Sequence, residues 1–112
     1  MANFIDAVRL RTYMGENDMR GAQPLFRAIV AAARDAQLSG VTVTRGIVGF
    51  GRSAHVHEVF RGFSNDLPVI VEIVDRESRV MEFLPILDAL LNGEPVTIEP
   101  VKLLDRAATP DC

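Results

Sequence analysis

Residues 41–52 read VTVTRGIVGFGR, a stretch that joins a strand to a glycine-bounded loop. Residues 41–45 are rich in β-branched side chains and alternate in character, which is typical of a strand. Gly46 interrupts the pattern, and a glycine inside a strand often marks a bulge or a close approach of two backbones. The strand resumes at residues 47–48 and ends in the turn Gly49, Phe50, Gly51, Arg52. The stretch therefore predicts a strand that leads into a charged loop.

The segments that follow predict a loop, a strand, a helix and a last strand. Residues 52–66 are polar and irregular, and a loop of this length in a small domain is commonly functional or mobile. Residues 68–74 are apolar on both faces, which indicates a central strand. We expect Asp75 to cap the next helix and Pro85 to kink or break it. Pro100 lies within the last strand, residues 96–104, and predicts an edge or a bulge there.

Two elements precede the quoted stretch. Residues 7–13 alternate, as in a half-buried strand: one face carries Val8, Leu10 and Thr12, and the other carries Arg9, Arg11 and Tyr13. Pro24 stands where a helix tolerates its missing N–H, and Ser39-Gly40 ends that helix. Its apolar stripe is Leu25, Ala28, Ile29, Ala32 and Ala36.

The element order β-α-β-β-α-β predicts an α+β fold, the ferredoxin-like sandwich. In this fold two helices cover one face of a four-stranded antiparallel sheet. The other sheet face is left bare, and Ile70 and Val74 would lie on it. A partly apolar bare face predicts self-association.

Length and composition set the protein class. The 112 residues, 48% hydrophobic and 24% charged, suit a single domain over residues 1–112, with an ordered core at about 7–104 and a flexible tail at 105–112. The net charge of -3 argues against a nucleic-acid footprint. Cys112 is the single cysteine, and no apolar run approaches the length of a membrane span. We expect a cytoplasmic protein without direct membrane insertion.

Three groups of residues could bind a ligand, a metal ion or a charged partner. The turn at residues 49–52 allows close backbone approach, and Arg52 can pair with phosphate or carboxylate; the alternative is an ordinary strand end. His55 and His57 could supply two metal ligands, but zinc needs at least three, so we assign no metal site. Glu72 lies in an apolar strand and needs a partner, either Arg9 or Arg11 next to it or a ligand.

Catalysis has little support in the sequence. No nucleophile lies beside an evident base, and no glycine loop carries the lysine and hydroxyl of a Walker motif. The loop at residues 15–21 has glycines but is acidic through Glu16 and Asp18, which would repel phosphate. We therefore predict that the protein is not an enzyme.

Several motifs extend over residues 10–103. They are YxGExD at 13–18, VTVTRGIxGFG at 41–51, DLPV at 66–69, VEIVD at 71–75 and FLPxLD at 83–88. In these motifs the chain resembles the PII signalling superfamily, and most closely its PII-like branch known as domain of unknown function 190. The resemblance implies a homotrimer that binds a small ligand, such as an adenine nucleotide, in clefts between subunits.

The resemblance also implies roles for individual residues. The ligand-binding positions that match the family pattern are Thr42, Gly49, Phe50, Gly51, Arg52, Glu72 and Val74. The loop of residues 52–66 would contact a regulated partner, such as a membrane transporter, through His55, His57 and Arg61. The chain departs from the long-known PII proteins at residues 92–95, NGEP, where those proteins carry TGxxGDGK. The lysine is missing here, and Glu94 would oppose a triphosphate.

Three functions follow in order of preference. The first is a PII-like trimeric sensor that signals to a partner through the 52–66 loop. The second is a metal-binding trimer of the divalent-ion-tolerance type that uses His55 and His57. The third, a small enzyme on a ferredoxin-like scaffold, ranks far behind.

Overall fold

The computed structural model describes residues 3–50, 57–58 and 66–106. Its helices are α1 (Leu25–Asp35) and α2 (Glu77–Leu90), and its strands are β1 (Asn3–Gly15), β2 (Met19–Arg20), β3 (Gln23–Pro24), β4 (Val41–Arg45), β5 (Val48–Gly49), β6 (His57–Glu58), β7 (Pro68–Asp75) and β8 (Val96–Asp105). One antiparallel sheet has the strand order β4-β7-β1-β8, whereas β2 pairs with β3 and β5 pairs with β6. The predicted ferredoxin-like fold is confirmed, and the two short hairpins are additions to it.

The long strands set the frame of the sheet. β1 begins at Asn3, earlier than the predicted start at Ala7, because its first residues pair with the end of β8. β7 lies between β1 and β4, as its apolar sequence predicts. β8 runs unbroken through Pro100 along one edge of the sheet, which is where strands tolerate a residue without an N–H.

The core lies between the sheet and the two helices. On the covered face, Leu10, Val71 and Ile73 are at most 1% exposed. Ile29 of α1 and Phe83 of α2 belong to the same buried cluster. Burial alternates strictly along β7, with Val69, Val71, Ile73 and Asp75 inside. The alternation that was visible in the sequence therefore decides which side of each strand meets the helices.

The opposite side of the sheet, which we call the open face, carries the other set of side chains. The registers of β1 with its two neighbours and of β4 with β7 place on it Arg9, Arg11, Tyr13, Thr42, Thr44, Ile70, Glu72, Val74, Thr97 and Glu99. Ile70 and Val74 are half-buried in the single chain. The open face is thus a mixture of apolar side chains and charged pairs.

Two expectations about α2 differ from the structure. Its N-cap position is occupied by Arg76, and no side chain forms a capping hydrogen bond there, so Asp75 is not the cap. The helix also continues through Pro85, so of the two outcomes expected there, a kink or a break, the break does not occur. Pro85 and Met81 both lie on the exposed side, so water can satisfy the Met81 carbonyl that lacks an N–H partner at residue 85.

Asp75 instead joins the end of α1 to the start of α2. Its carboxylate is buried and accepts hydrogen bonds from Arg76 N at 2.7 Å, Ser39 N at 2.9 Å and Arg79 Nε at 3.1 Å. Arg79 also donates to the carbonyl of Gln37, just after α1. Burial alone would raise the pKa of Asp75, but the Ser39 and Arg76 N–H groups and the Arg79 guanidinium outweigh it and lower that pKa. We call Asp75, Ser39, Arg76 and Arg79 the Asp75 clasp.

Candidate functional site

A cleft of about 820 Å³ opens at one end of the sheet. The end of β1, the start of β7, the β5 strand and the segment after α2 all meet there. The apolar part of its lining includes Met14, Leu25, Val48, Phe50, Val69 and Leu90. Phe50 is 71% exposed, so most of its ring is available to a bound molecule. A concave, largely apolar surface of this size suits a ligand of nucleotide size.

Gly46 fixes one wall of the cleft against the start of β7. Its N–H donates to the carbonyl of Pro68 at 2.7 Å. A Cβ at residue 46 would lie 2.9 Å from Pro68 Cγ, whereas a Cβ at Gly49 would lie 3.5 Å from the same atom. A side chain is therefore excluded at residue 46 and tolerated at residue 49. The close backbone approach predicted for Gly46 is confirmed.

A tight turn after β1 forms another side of the cleft. Asp18 Oδ2 accepts a hydrogen bond from Gly15 N at 2.9 Å, and Asp18 N donates to the Gly15 carbonyl at 3.1 Å. Glu16 N donates to the carbonyl of Leu67 at 2.7 Å, which ties the turn to the residues before β7. This network explains the acidic residue at position 18, because its carboxylate closes the turn that begins at Gly15. It holds Asp18 at the cleft in a fixed orientation.

The polar lining of the cleft is mainly acidic. Asp18, Asp66 and Glu94 contribute carboxylates, and Glu94 Oε1 accepts a hydrogen bond from Asn92 N at 2.5 Å. Within the described part of the lining, Arg20 is the one cationic side chain. The cleft is thus apolar on much of its surface and negatively charged around it.

Ion pairs cross the open face beside the cleft. Arg11 Nε lies 2.8 Å from Glu72 Oε1, and Arg9 Nε donates to Glu99 Oε1 at 2.9 Å. The hydrogen bond from Arg9 lowers the pKa of Glu99, and the hydrogen bond to Glu72 raises the pKa of Arg11. The partners considered for Glu72 were Arg9, Arg11 or a ligand, and in the single chain it pairs with Arg11. Thr42 lies opposite Glu72 in the register of β4 with β7.

The residues predicted to bind the ligand or the partner fall into three groups. Gly49 and Phe50 line the cleft. Thr42, Glu72 and Val74 lie on the open face and not in the cleft lining. Gly51, Arg52, His55 and Arg61 lie outside the described residues, and His57 is described only as a backbone partner of Gly49 in the β5–β6 hairpin. Met19 and Arg20 were not predicted as site residues, and they reach the cleft because the β2–β3 hairpin folds back beside it.

Two further searches concern metals and membranes. In residues 3–50 and 66–106, no three histidine, cysteine or carboxylate side chains are grouped as metal ligands would be. None of the helices in the described chain has the length and apolarity needed to cross a bilayer.

Comparison with known proteins gives consistent matches. The sequence profile of domain of unknown function 190 (DUF190), described as an uncharacterized ACR, matches residues 7–103. A UPF0166 protein of Aquifex aeolicus (strain VF5) is 31% identical over 97 residues, covering 85% of this chain and 90% of the relative. A UPF0166 protein of Methanocaldococcus jannaschii is 33% identical over 95 residues, covering 84% and 87%.

Among solved structures, the chain resembles CPII, a nitrogen regulatory PII-like protein from Thiomonas intermedia K12, in a complex with ADP, AMP and bicarbonate. The TM-score is 0.62 at 15% sequence identity, over 90% of this chain and 91% of CPII. A second CPII structure, bound to ADP and bicarbonate, gives a TM-score of 0.60. At this identity the likeness concerns the fold, which is that of a PII-like protein.

Proposed function

The chain belongs to the DUF190 family and has a PII-like fold, and from this premise we propose that it is a PII-like regulatory protein. It binds a small ligand of the adenine nucleotide class in the cleft and signals to a partner protein through the loop of residues 52–66. It acts as a homotrimer in the cytoplasm, without catalysing a reaction, and the partner is a regulated protein such as a membrane transporter.

The observation that carries the proposal is the position of Phe50. Its ring is 71% exposed at the cleft, directly after β5 and close to the start of the 52–66 loop, and β5 pairs with β6 within that loop. A base that stacks on this ring would contact the root of the loop. Such a contact gives the ligand a physical route to the partner-facing segment, because it favours loop conformations compatible with the stacked ring.

The ligand class is supported by the cleft and by the fold relatives. The cleft volume of about 820 Å³ is within the range of small-molecule sites, and its apolar lining suits an adenine ring. CPII, which has the same fold, has been observed with ADP and AMP bound. Gly49 at the cleft leaves the backbone accessible to a ligand.

Titration calorimetry with adenosine, AMP, ADP and ATP tests the ligand. Phe50→Ala should weaken the tightest binder by about tenfold, the effect of losing one aromatic stacking partner. Ile47→Ala is the matched control, because Ile47 is 73% exposed on the same segment but does not line the cleft. Absence of binding by all four compounds, or equal losses in the two variants, would contradict the proposal.

The trimer is supported by the open face. Val74 is half-buried there opposite Arg9, and covering this face by other subunits would remove apolar surface from water. Val74→Arg places a second positive charge beside Arg9, so light scattering should report monomers in place of trimers. Ile86→Arg changes an exposed residue on α2 and should leave the trimer intact. A monomeric wild-type protein, or a trimeric Val74→Arg variant, would refute this assembly.

A further inference from the structure

Two carboxylates at the cleft are held in place by the backbone. Asp18 Oδ2 accepts from Gly15 N at 2.9 Å, and Glu94 Oε1 accepts from Asn92 N at 2.5 Å. Both residues line the cleft and are only partly exposed. Because each carboxylate closes a turn of its own chain segment, neither can swing away freely when a ligand enters.

Among the described residues, no ion pair balances the negative charge of this pair. In the part of the chain that the structure describes, neither Asp18 nor Glu94 forms an ion pair, whereas the nearby Glu16 is paired with Arg45. Arg20 is the one cation among the described lining residues. A ligand in the cleft therefore meets apolar surface together with excess negative charge.

This charge affects phosphate groups and not the adenosine part of a nucleotide. AMP carries a charge of about −2 and ATP about −4, so ATP brings more negative charge toward the same two carboxylates. Such repulsion persists at low ionic strength and is screened at high ionic strength. The uncharged adenosine part can still pack on Phe50 and the other apolar lining.

We infer that the cleft selects adenosine ligands with one phosphate or none over triphosphates, and that Asp18 and Glu94 set this preference. The inference rests on the proposed adenine ligand and adds its charge class. The side chains of Asp18 and Glu94 thus determine which nucleotides the site prefers.

Calorimetry without Mg²⁺ at low salt, about 50 mM, tests the selection. Wild-type protein should bind AMP about five- to tenfold more tightly than ATP, and the ratio should fall toward about twofold near 500 mM salt. ATP binding as tight as AMP binding at low salt would overturn the inference while leaving an adenine ligand in place. Failure of adenosine, AMP, ADP and ATP alike to bind would refute the proposed ligand class, and the inference with it.

Variants assign the effect to the two carboxylates. Asp18→Asn combined with Glu94→Gln removes both charges but keeps an acceptor oxygen for each turn, and it should bring the AMP-to-ATP ratio close to one. Asp35→Asn is the charge-matched control for the single Glu94→Gln variant, since it also removes one charge and Asp35 is exposed at the far end of α1 from Leu25, which lines the cleft. An unchanged ratio in the double variant would overturn the inference. Single Glu94→Gln, with an intermediate ratio, provides the same test if the double variant unfolds.

Discussion

Replacing Asp75 by asparagine should destabilise the domain by about 3 kcal/mol at neutral pH. The carboxylate is 1% exposed and accepts from Ser39 N and Arg79 Nε on one oxygen and from Arg76 N on the other. Asparagine keeps one of the two oxygens. In place of the other oxygen it has an NH₂ group, which cannot accept the hydrogen bonds donated there. Hydrogen bonds to charged groups contribute about 1.5–3 kcal/mol each, and removing one partner of a buried pair costs about 3–5 kcal/mol. Arg79 is partly exposed, so water can hydrate its guanidinium in the variant, and this keeps the loss of stability at about 3 kcal/mol.

Urea denaturation followed by circular dichroism measures this loss, with the protein concentration held constant because assembly adds to apparent stability. Asp88→Asn is the control, since Asp88 is exposed on α2 and should change stability by less than about 0.5 kcal/mol.

The pH dependence provides an independent check. The pKa of Asp75 is lowered in the folded state, so its stabilisation is fully present above the unfolded pKa of about 3.9. It is lost as the pH falls through the folded pKa. The difference between wild type and Asp75→Asn should therefore narrow as the pH is lowered below about 4. A loss below about 1 kcal/mol at pH 7, or a difference that stays constant into acid, would refute the assigned role of the clasp.

Two further substitutions test packing. Thr12 is fully buried, and its hydroxyl has no hydrogen-bond partner among the described residues. Thr12→Val should therefore raise the free energy of unfolding by about 1 kcal/mol. Thr44→Val, on the open face, is the control. A destabilised Thr12→Val would indicate a partner for that hydroxyl. Gly46→Ala places a Cβ 2.9 Å from Pro68 Cγ and should lower stability by about 1–3 kcal/mol. Gly49→Ala places its Cβ 3.5 Å from the same atom and should leave stability nearly unchanged. Similar melting temperatures for the two variants would count against the close approach.

The sequence predicted the sheet because its signals are local. Alternation along residues 7–13 correctly placed Val8, Leu10 and Thr12 on the covered face, and Pro100 correctly indicated an edge strand. Of the two explanations that the sequence offered for Gly46, a bulge or a close approach, the structure shows a close approach to Pro68.

The cleft and the Asp75 clasp were not predicted because they depend on contacts between distant segments. Asp75 has the sequence position of a helix cap, and only the topology brings Ser39 to its carboxylate. The cleft likewise joins Met14, Val48 and Leu90, which are remote from one another in the chain. The role of the matched ligand positions is still a prediction, and Thr42, Glu72 and Val74 lie on the open face, outside the cleft lining.

Pro100 also affects how the protein behaves at high concentration. β8 forms an edge of the main sheet, and an edge strand is a template on which a foreign strand can be added. A strand that docked along residues 96–105 would find no N–H at the midpoint of its partner. The proline therefore interrupts edge-to-edge pairing between the sheets of different molecules. Without it, the ten-residue strand β8 would offer an unbroken edge for fibril growth.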